Sequence, residues 1–329
     1  MPTTTLYKVD TESKDVIETL AGLLRPHIPH SLHILGSLFS GDVECKALTI
    51  WTTFPLNAVS SNTTFSNDSE TVPSIYSIIC HSSLHDHQFR FFCSAETMPT
   101  THPAIEDAHV FEVIGHLLSD SGNGIPPEAW ADGASLKPGG VIEIGYLNER
   151  WIACLQPYIT QDFLCFAFVR PPRENPPQTS WKISPDPEWE ISELRGSDVD
   201  FVQERLGHYP RSRECVQSRI PYSVCIRRKD PENRVPVAWN LILADGATGM
   251  LYVEPDMRRK GLARMCKAAL SRKMEEIFAT EDLGKKDLYP HARWEFNVVY
   301  HENEASMRLS RSLEGWKETA RRHWIWIRK

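Results

Sequence analysis

The residues with the most distinctive chemistry lie in one stretch. Arg258, Arg259, Lys260, Arg264, Lys267, Arg272 and Lys273 fall together, and no Asp or Glu occurs between Arg258 and Lys273. The whole chain of 329 residues carries a formal charge of -7, so the sign is reversed locally. Gly261 and Ala263 lie inside the stretch, and residues this small let a bulky group approach the backbone. Upstream, the apolar run Met250 to Val253 is stopped by Pro255, which cannot donate to a sheet ladder. Downstream, Leu262, Met265, Cys266, Ala269, Leu270, Met274, Ile277 and Phe278 recur at three and four residues, predicting an amphipathic helix of about five turns. First-turn amides of a helix are orphan donors with partial positive charge, and cations placed there oppose the helix dipole unless an anion joins them. Binding of a phosphate or pyrophosphate is the chemistry this arrangement serves.

Other reactive side chains are less organised. His81, His85 and His87, with Asp86, form a local cluster between two strand-like runs, where a loop rather than a metal site is expected. The eight cysteines contain no CxxC pair and mostly lie in apolar runs, so they are expected to be reduced and buried, with no metal bound. A pI near 6.0 and the net charge argue against a nucleic-acid or anionic-membrane partner. No apolar run approaches the roughly 20 residues of a membrane span, and MPTTTLYKVD has no signal-peptide core, so a cytoplasmic or nuclear location is expected.

The elements that must hold these residues follow from periodicity. In the first half, 13 to 24 and 105 to 118 predict helices, and strands are expected at His33 to Phe39, Ala47 to Trp51, Ile75 to Cys80, Phe89 to Cys93, Val141 to Tyr146, Trp151 to Leu155 and Phe163 to Val169. Ser60 to Ser69 and Pro126 to Gly140 read as loops. Six of the eighteen residues from Arg170 to Pro187 are proline, which defeats helix and sheet alike. The reading is an N-terminal domain over 1–170, a linker over 171–187 and a second domain over 188–329. In the second domain, strands are expected at 188 to 194, 222 to 227, 236 to 243, 294 to 300 and 323 to 328, and helices at 198 to 206, 212 to 219 and 303 to 313. Arg321 and Arg322 read as a solvated turn. The composition, 41% apolar and 24% charged, is that of an ordinary globular α/β chain with a mixed sheet.

Val253-x-Pro255-x-x-Arg258-x-x-Gly261-x-Ala263, placed after a strand and before a long helix, resembles the acyl-CoA-binding signature of the GCN5-related N-acetyltransferases. A second stretch, Asn303 to Leu309 leading to Leu313, Gly315 and Trp316, resembles the block that completes that fold. Pro236-Val237-Ala238-Trp239, Asp245-Gly246 and Met250-Leu251-Tyr252 are most similar to the subgroup of glycine N-acyltransferases and FR47-like proteins, whose N-terminal half is a related copy without the CoA loop. The resemblance implies an acyltransferase fold over 188–329, preceded by a degenerate copy of it.

Acetyl-CoA, or another acyl-CoA, is then the implied co-substrate. Arg258, Arg259, Lys260, Gly261, Leu262, Ala263 and Arg264 would hold its pyrophosphate, and Leu251, Tyr252 and Val253 would pair with its pantetheine arm. Asn303 and Ser306 would lie beside that arm, although Asn303 serves equally as a plain helix cap. An amide near Tyr252 or Val253 would face the oxyanion. Ser310 stands where many members place a tyrosine that protonates the leaving thiolate, and Glu314 is an extra residue before Gly315. The position of the glutamate base in glycine acyltransferases is Ala247 here, which argues against glycine as substrate. Glu295 ranks first as base; Asp245 serves at least as well as turn chemistry, Glu254 reads as a solvated surface residue, and His301 is a further candidate. The implied activity is direct acetyl transfer to a primary amine of a small molecule or amino acid. A peptide acceptor, a CoA-binding sensor without catalysis and a purely structural partner-binding role stay open.

Overall fold

The structure is a computed structural model. It describes residues 4–39, 48–56, 72–82, 88–99, 103–118, 141–173, 180, 182, 184–206, 211–230, 235–279 and 294–328. His85, Asp86 and His87, the segments 60 to 69 and 126 to 140, and part of the Pro-rich stretch lie outside them. The chain divides into two compact units, Met1–Ala167 with Val299–Glu302 and Thr319–Lys329, and Phe168–Val298 with Asn303–Glu318.

The first unit contains β1 (Tyr7–Lys8), α1 (Lys14–Leu24), α2 (Leu32–Phe39), β2 (Leu48–Thr52), β3 (Ser77–Ser82), β4 (Phe89–Cys93), α3 (Pro103–Leu118), β5 (Ile142–Asn148), α4 (Ile152–Leu155) and β6 (Ile159–Arg170). Its strands pair in the order β1, β2, β3, β4, β5, then β12 (Lys317–Ile327), then β6. The sheet is mixed: β4 and β5 run parallel, whereas β1 to β4 and the β5/β12 pair are antiparallel. One core packs Val110, Ile114 and Leu117 of α3 on Phe89, Phe91 and Ile144. A second, on the opposite face, packs Leu20 and Leu24 of α1 on Ile50, Ile78 and Phe92.

Three expectations are corrected here. His33 to Phe39 is a helix, not a strand. Ile34, Leu35 and Leu38 are buried at helical spacing, and Ser37 Oγ donates to His33 O at 2.7 Å, an i−4 bond that a helix offers. Trp151 to Leu155 is a turn and a short helix, because Asn148 Oδ1 accepts from Arg150 N at 3.1 Å and starts the turn Glu149–Trp151. Arg321 and Arg322 belong to β12, and Arg322 is buried with Nη1 2.7 Å from Glu96 Oε2.

The second unit contains β7 (Trp189–Ser192), α5 (Val199–Gln203), α6 (Arg213–Ser218), β8 (Ser223–Arg228), β9 (Ala238–Ile242), β10 (Thr248–Val253), α7 (Leu262–Ala279), β11 (Glu295–Tyr300) and α8 (Glu304–Ser312). An antiparallel sheet runs in the order β10, β9, β8, β7. Ala269, Leu270 and Met274 of α7 cover Ile191, Val224 and Ile242 on one face, and α5 and α6 cover Trp239 and Leu241 on the other. Among the described residues, the succession strand, two helices, three strands, helix, strand, helix, strand from β7 to β12 repeats that from β1 to β6.

Candidate functional site

The site begins at an irregularity in β10. Gly249 faces Leu241 and Tyr252 faces Trp239, so Met250 and Leu251 stand opposite the single residue Asn240, a β-bulge. Met250 takes a φ of 54°, a left-handed conformation that costs an ordinary residue about 1 kcal/mol. Asn240 is buried opposite the bulge and its Nδ2 donates to Gly249 O at 2.6 Å. β10 is the edge of its sheet, and β11 belongs to a different ladder. Near their starts the two strands are joined by Thr248 Oγ1, which donates to Phe296 O at 3.4 Å. Beyond that bond the outer edge of β10 presents main-chain groups to whatever adds beside it.

The basic loop follows directly. A single 3-10 turn, Pro255–Met257, closes with Arg258 N on Pro255 O at 3.2 Å, and Arg258 Nε folds back to Val253 O at 3.2 Å. Arg259 and Gly261 have φ of 63° and 80°, which turns successive amides outward in the manner of an anion nest. A Cβ built on Gly261 would meet nothing within 4 Å, so the space over it is open. The first helical bond of α7 is Met265 N on Gly261 O at 3.1 Å, leaving the amides of Leu262, Ala263 and Arg264 without helical acceptors. Leu262 is buried against Trp189 and Ala238 and fixes where the helix begins. The side chains of Arg258, Arg259, Lys260 and Arg264 are exposed, and Arg264 reaches Ser312 O at 3.1 Å and Ser312 Oγ at 2.7 Å. Cations, free amides and an open cradle fit a diphosphate.

On the far side, Asn303 caps α8 by accepting from Ser306 N at 3.1 Å. Ser310 is buried and accepts from Asn297 Nδ2 at 3.3 Å, while the buried Asn297 Oδ1 has no partner among the described residues. Gly315 ends this segment with a φ of 76°.

Two of the base candidates, Glu295 and Glu254, are placed differently from what the sequence leads one to expect. Glu295 is buried, with one carboxylate oxygen ion-paired to Arg170 and the other accepting from Ser271 Oγ at 2.6 Å. A carboxylate held at both oxygens is a positioning element rather than an open base. Asp245 is also buried, and its Oδ1 accepts from Ala247 N at 3.0 Å in the turn closed by Gly246. Turn chemistry accounts for it. Glu254, expected as a solvated surface residue, is half-buried and ion-paired to Arg205 at 2.5 Å. His301 is exposed, with Nδ1 3.2 Å from Leu164 O. His81 is a buried strand residue stacked on Phe89 at 4.5 Å, and the described residues hold no group able to bind a metal.

Sequence reasoning counted Lys267 only among the cations of its stretch and gave it no separate role. Its ammonium is buried, lies 2.6 Å from Thr248 Oγ1 and 4.8 Å from the Trp316 ring centre, and has no ion-pair partner among the described residues. Burial, and secondarily the positive field of Arg170, pull its pKa down to about 7. Burial lowers Arg170 as well, to about 10, with Arg173 adding to that effect and Glu275 opposing it. The available signal was a lysine inside the apolar stripe of α7, three residues before Leu270 and seven before Met274. Asn240 and Asn297 gave no signal, because their roles depend on pairing across strands.

No protein-family model and no curated protein matches the chain. Solved structures do. A Drosophila protein is similar over 98% of both chains at 15% identity, with a TM-score of 0.63. A GCN5-related N-acetyltransferase from Sphaerobacter thermophilus is similar over 98% of this chain and 95% of its own at 13% identity, with a TM-score of 0.51. The chain has the fold of the GCN5-related N-acetyltransferases. No helix among the described residues is long and apolar enough to cross a membrane.

Proposed function

We propose that the chain is an acyl-CoA-dependent N-acyltransferase, with acetyl-CoA as donor and a primary amine of a small molecule or amino acid as acceptor. The observation that carries this reading is the acid-free loop Arg258 to Arg264, with its paired left-handed residues, opening a long helix directly after a bulged edge strand. The amides of Gly261 to Arg264 and the cations around them hold the pyrophosphate. Pantetheine adds to the free edge of β10 along Leu251 to Val253 as a short extra strand, with Asn303, Ser306 and the unpaired Asn297 Oδ1 facing it. The thioester carbonyl meets a main-chain amide of β10 at its bulge, upstream of the Tyr252 amide the sequence suggests. The amine attacks that carbon, the C–N bond forms, and the C–S bond breaks with its electrons on sulfur, without a covalent enzyme intermediate.

A second reading, a CoA-binding sensor without turnover, is favoured by two observations. Ser310 is a buried hydroxyl bonded to Asn297, where a phenol would serve as acid, and Glu295 is occupied by Arg170 and Ser271. Thiol release from acetyl-CoA, measured with a panel of amines, amino acids and a lysine-rich peptide beside a calorimetric titration, separates the two. Binding with release stimulated by one acceptor class is the expected result and names that class. Binding without stimulated release supports the sensor, and absence of binding refutes both.

A further inference from the structure

We infer that Lys267 is the group that stabilises the departing CoA thiolate by its charge, taking the place of the missing phenol through the pair Lys267–Thr248 where β10 and β11 start. The inference rests on the acyltransferase reading and adds a residue to it. The first argument is reach. From its phosphate oxygen to its sulfur, pantetheine spans about twelve bonds, which equals roughly four residues of extended chain at about 3.3 Å each. An arm that starts beside Val253 and runs back along β10 therefore sets its sulfur next to Gly249 and Met250, at the bulge. Thr248 is the next residue, its hydroxyl bonded to Phe296 O at 3.4 Å and contacted by Lys267 Nζ at 2.6 Å.

The second argument is charge. Arg170 neutralises Glu295 and lies 3.9 Å from Glu275, so those carboxylates are already served, and Cys266 is the remaining titratable group near Lys267, on its own helix. Trp316 covers the ammonium from the other side at 4.8 Å. Burying a cation with no counter-ion costs stability, and a nascent thiolate beside it supplies the missing negative charge. A thiolate beside the ammonium strengthens its hold on its own proton, so the two stay charged as a pair. The step balances. The C–S electron pair leaves on sulfur as a thiolate paired with the Lys267 ammonium, and the proton the acceptor nitrogen loses on becoming an amide passes to solvent.

The test needs no acceptor. Unacylated CoA is bound to the full chain and its thiolate absorbance is followed against pH, in the unmodified protein, in Lys267→Met and in Lys267→Gln, which keeps a hydrogen bond to Thr248. An opposite charge within a few ångströms lowers an acid by one to three pH units, so the bound thiol is expected to ionise at least about one unit below free CoA, and both variants return it to the free value. Equal ionisation of bound and free thiol, or the same shift in the variants, overturns the role of Lys267 while leaving the coenzyme site intact. Should both variants fail to fold, Thr248→Val, which removes the hydroxyl that Lys267 Nζ contacts, reads the same shift, and an unchanged thiol there overturns the Lys267–Thr248 pair. Absence of CoA binding by the unmodified chain is the separate result that removes the acyltransferase reading itself.

Discussion

At the scale of single residues, Gly261 is the position where space and charge meet. Its φ of 80° strains any side chain, and nothing lies within 4 Å of where a Cβ would stand. Asn and Asp are nearly equal in size and both tolerate this conformation better than most residues, so comparing Gly261→Asp with Gly261→Asn cancels the strain and leaves the charge. Gly261→Asp is expected to weaken acetyl-CoA binding at least tenfold beyond Gly261→Asn, about 1.4 kcal/mol, in calorimetric titrations. Equal affinities would remove the pyrophosphate from this loop. Gly261 and its cationic neighbours were legible in the sequence because the motif is local. The fate of Glu295 was not, since the arginine that occupies it lies at the far end of β6 and nothing in either segment announces the pairing.

At the scale of elements, the loop between β10 and α7 holds strain that the binding role proposed for it would explain. Arg259, an exposed non-glycine residue, has a φ of 63°. Glycine relieves that conformation, so Arg259→Gly is expected to raise unfolding stability by up to about 1 kcal/mol while lowering acetyl-CoA affinity. Thermal melting and titration of the same sample read the two effects, and a loss of stability or a gain of affinity would contradict the assignment. Long periodic elements such as α7 were visible in the sequence. α2 was misread because a short apolar run fits strand and helix equally until its neighbours choose. The bulge at Met250 was invisible, because register is a property of two strands and Asn240 lies on the other one.

At the scale of the whole molecule, the described elements β1 to β6 and β7 to β12 follow one order, with opposite chemistry after the fourth strand. The second unit follows β10 with cations and open amides. The first follows β4 with Glu96, fully buried, which accepts from Cys93 N at 3.2 Å, Trp151 Nε1 at 3.3 Å, Asn148 Nδ2 at 3.1 Å and Arg322 Nη1 at 2.7 Å. In the first unit His27, His30, His33 and His109 are all held below the ordinary histidine value of 6.5, chiefly by burial. The unfolded chain takes up protons below pH 6.5 that the folded unit resists, so this stability is complete above that value and is lost as pH falls through it. Urea midpoints are expected to be flat from about pH 7.5 to 6.5 and to decline below, and a rise on acidification would contradict this. The placement of β12 between β5 and β6 has a consequence for synthesis. A ribosome delivers both flanking strands before it has made any of the second unit, and the strand that joins them emerges only afterwards. Until then the nascent first half leaves β5 and β6 with unsatisfied sheet edges, the kind of surface that chaperones cover and that aggregates when they do not.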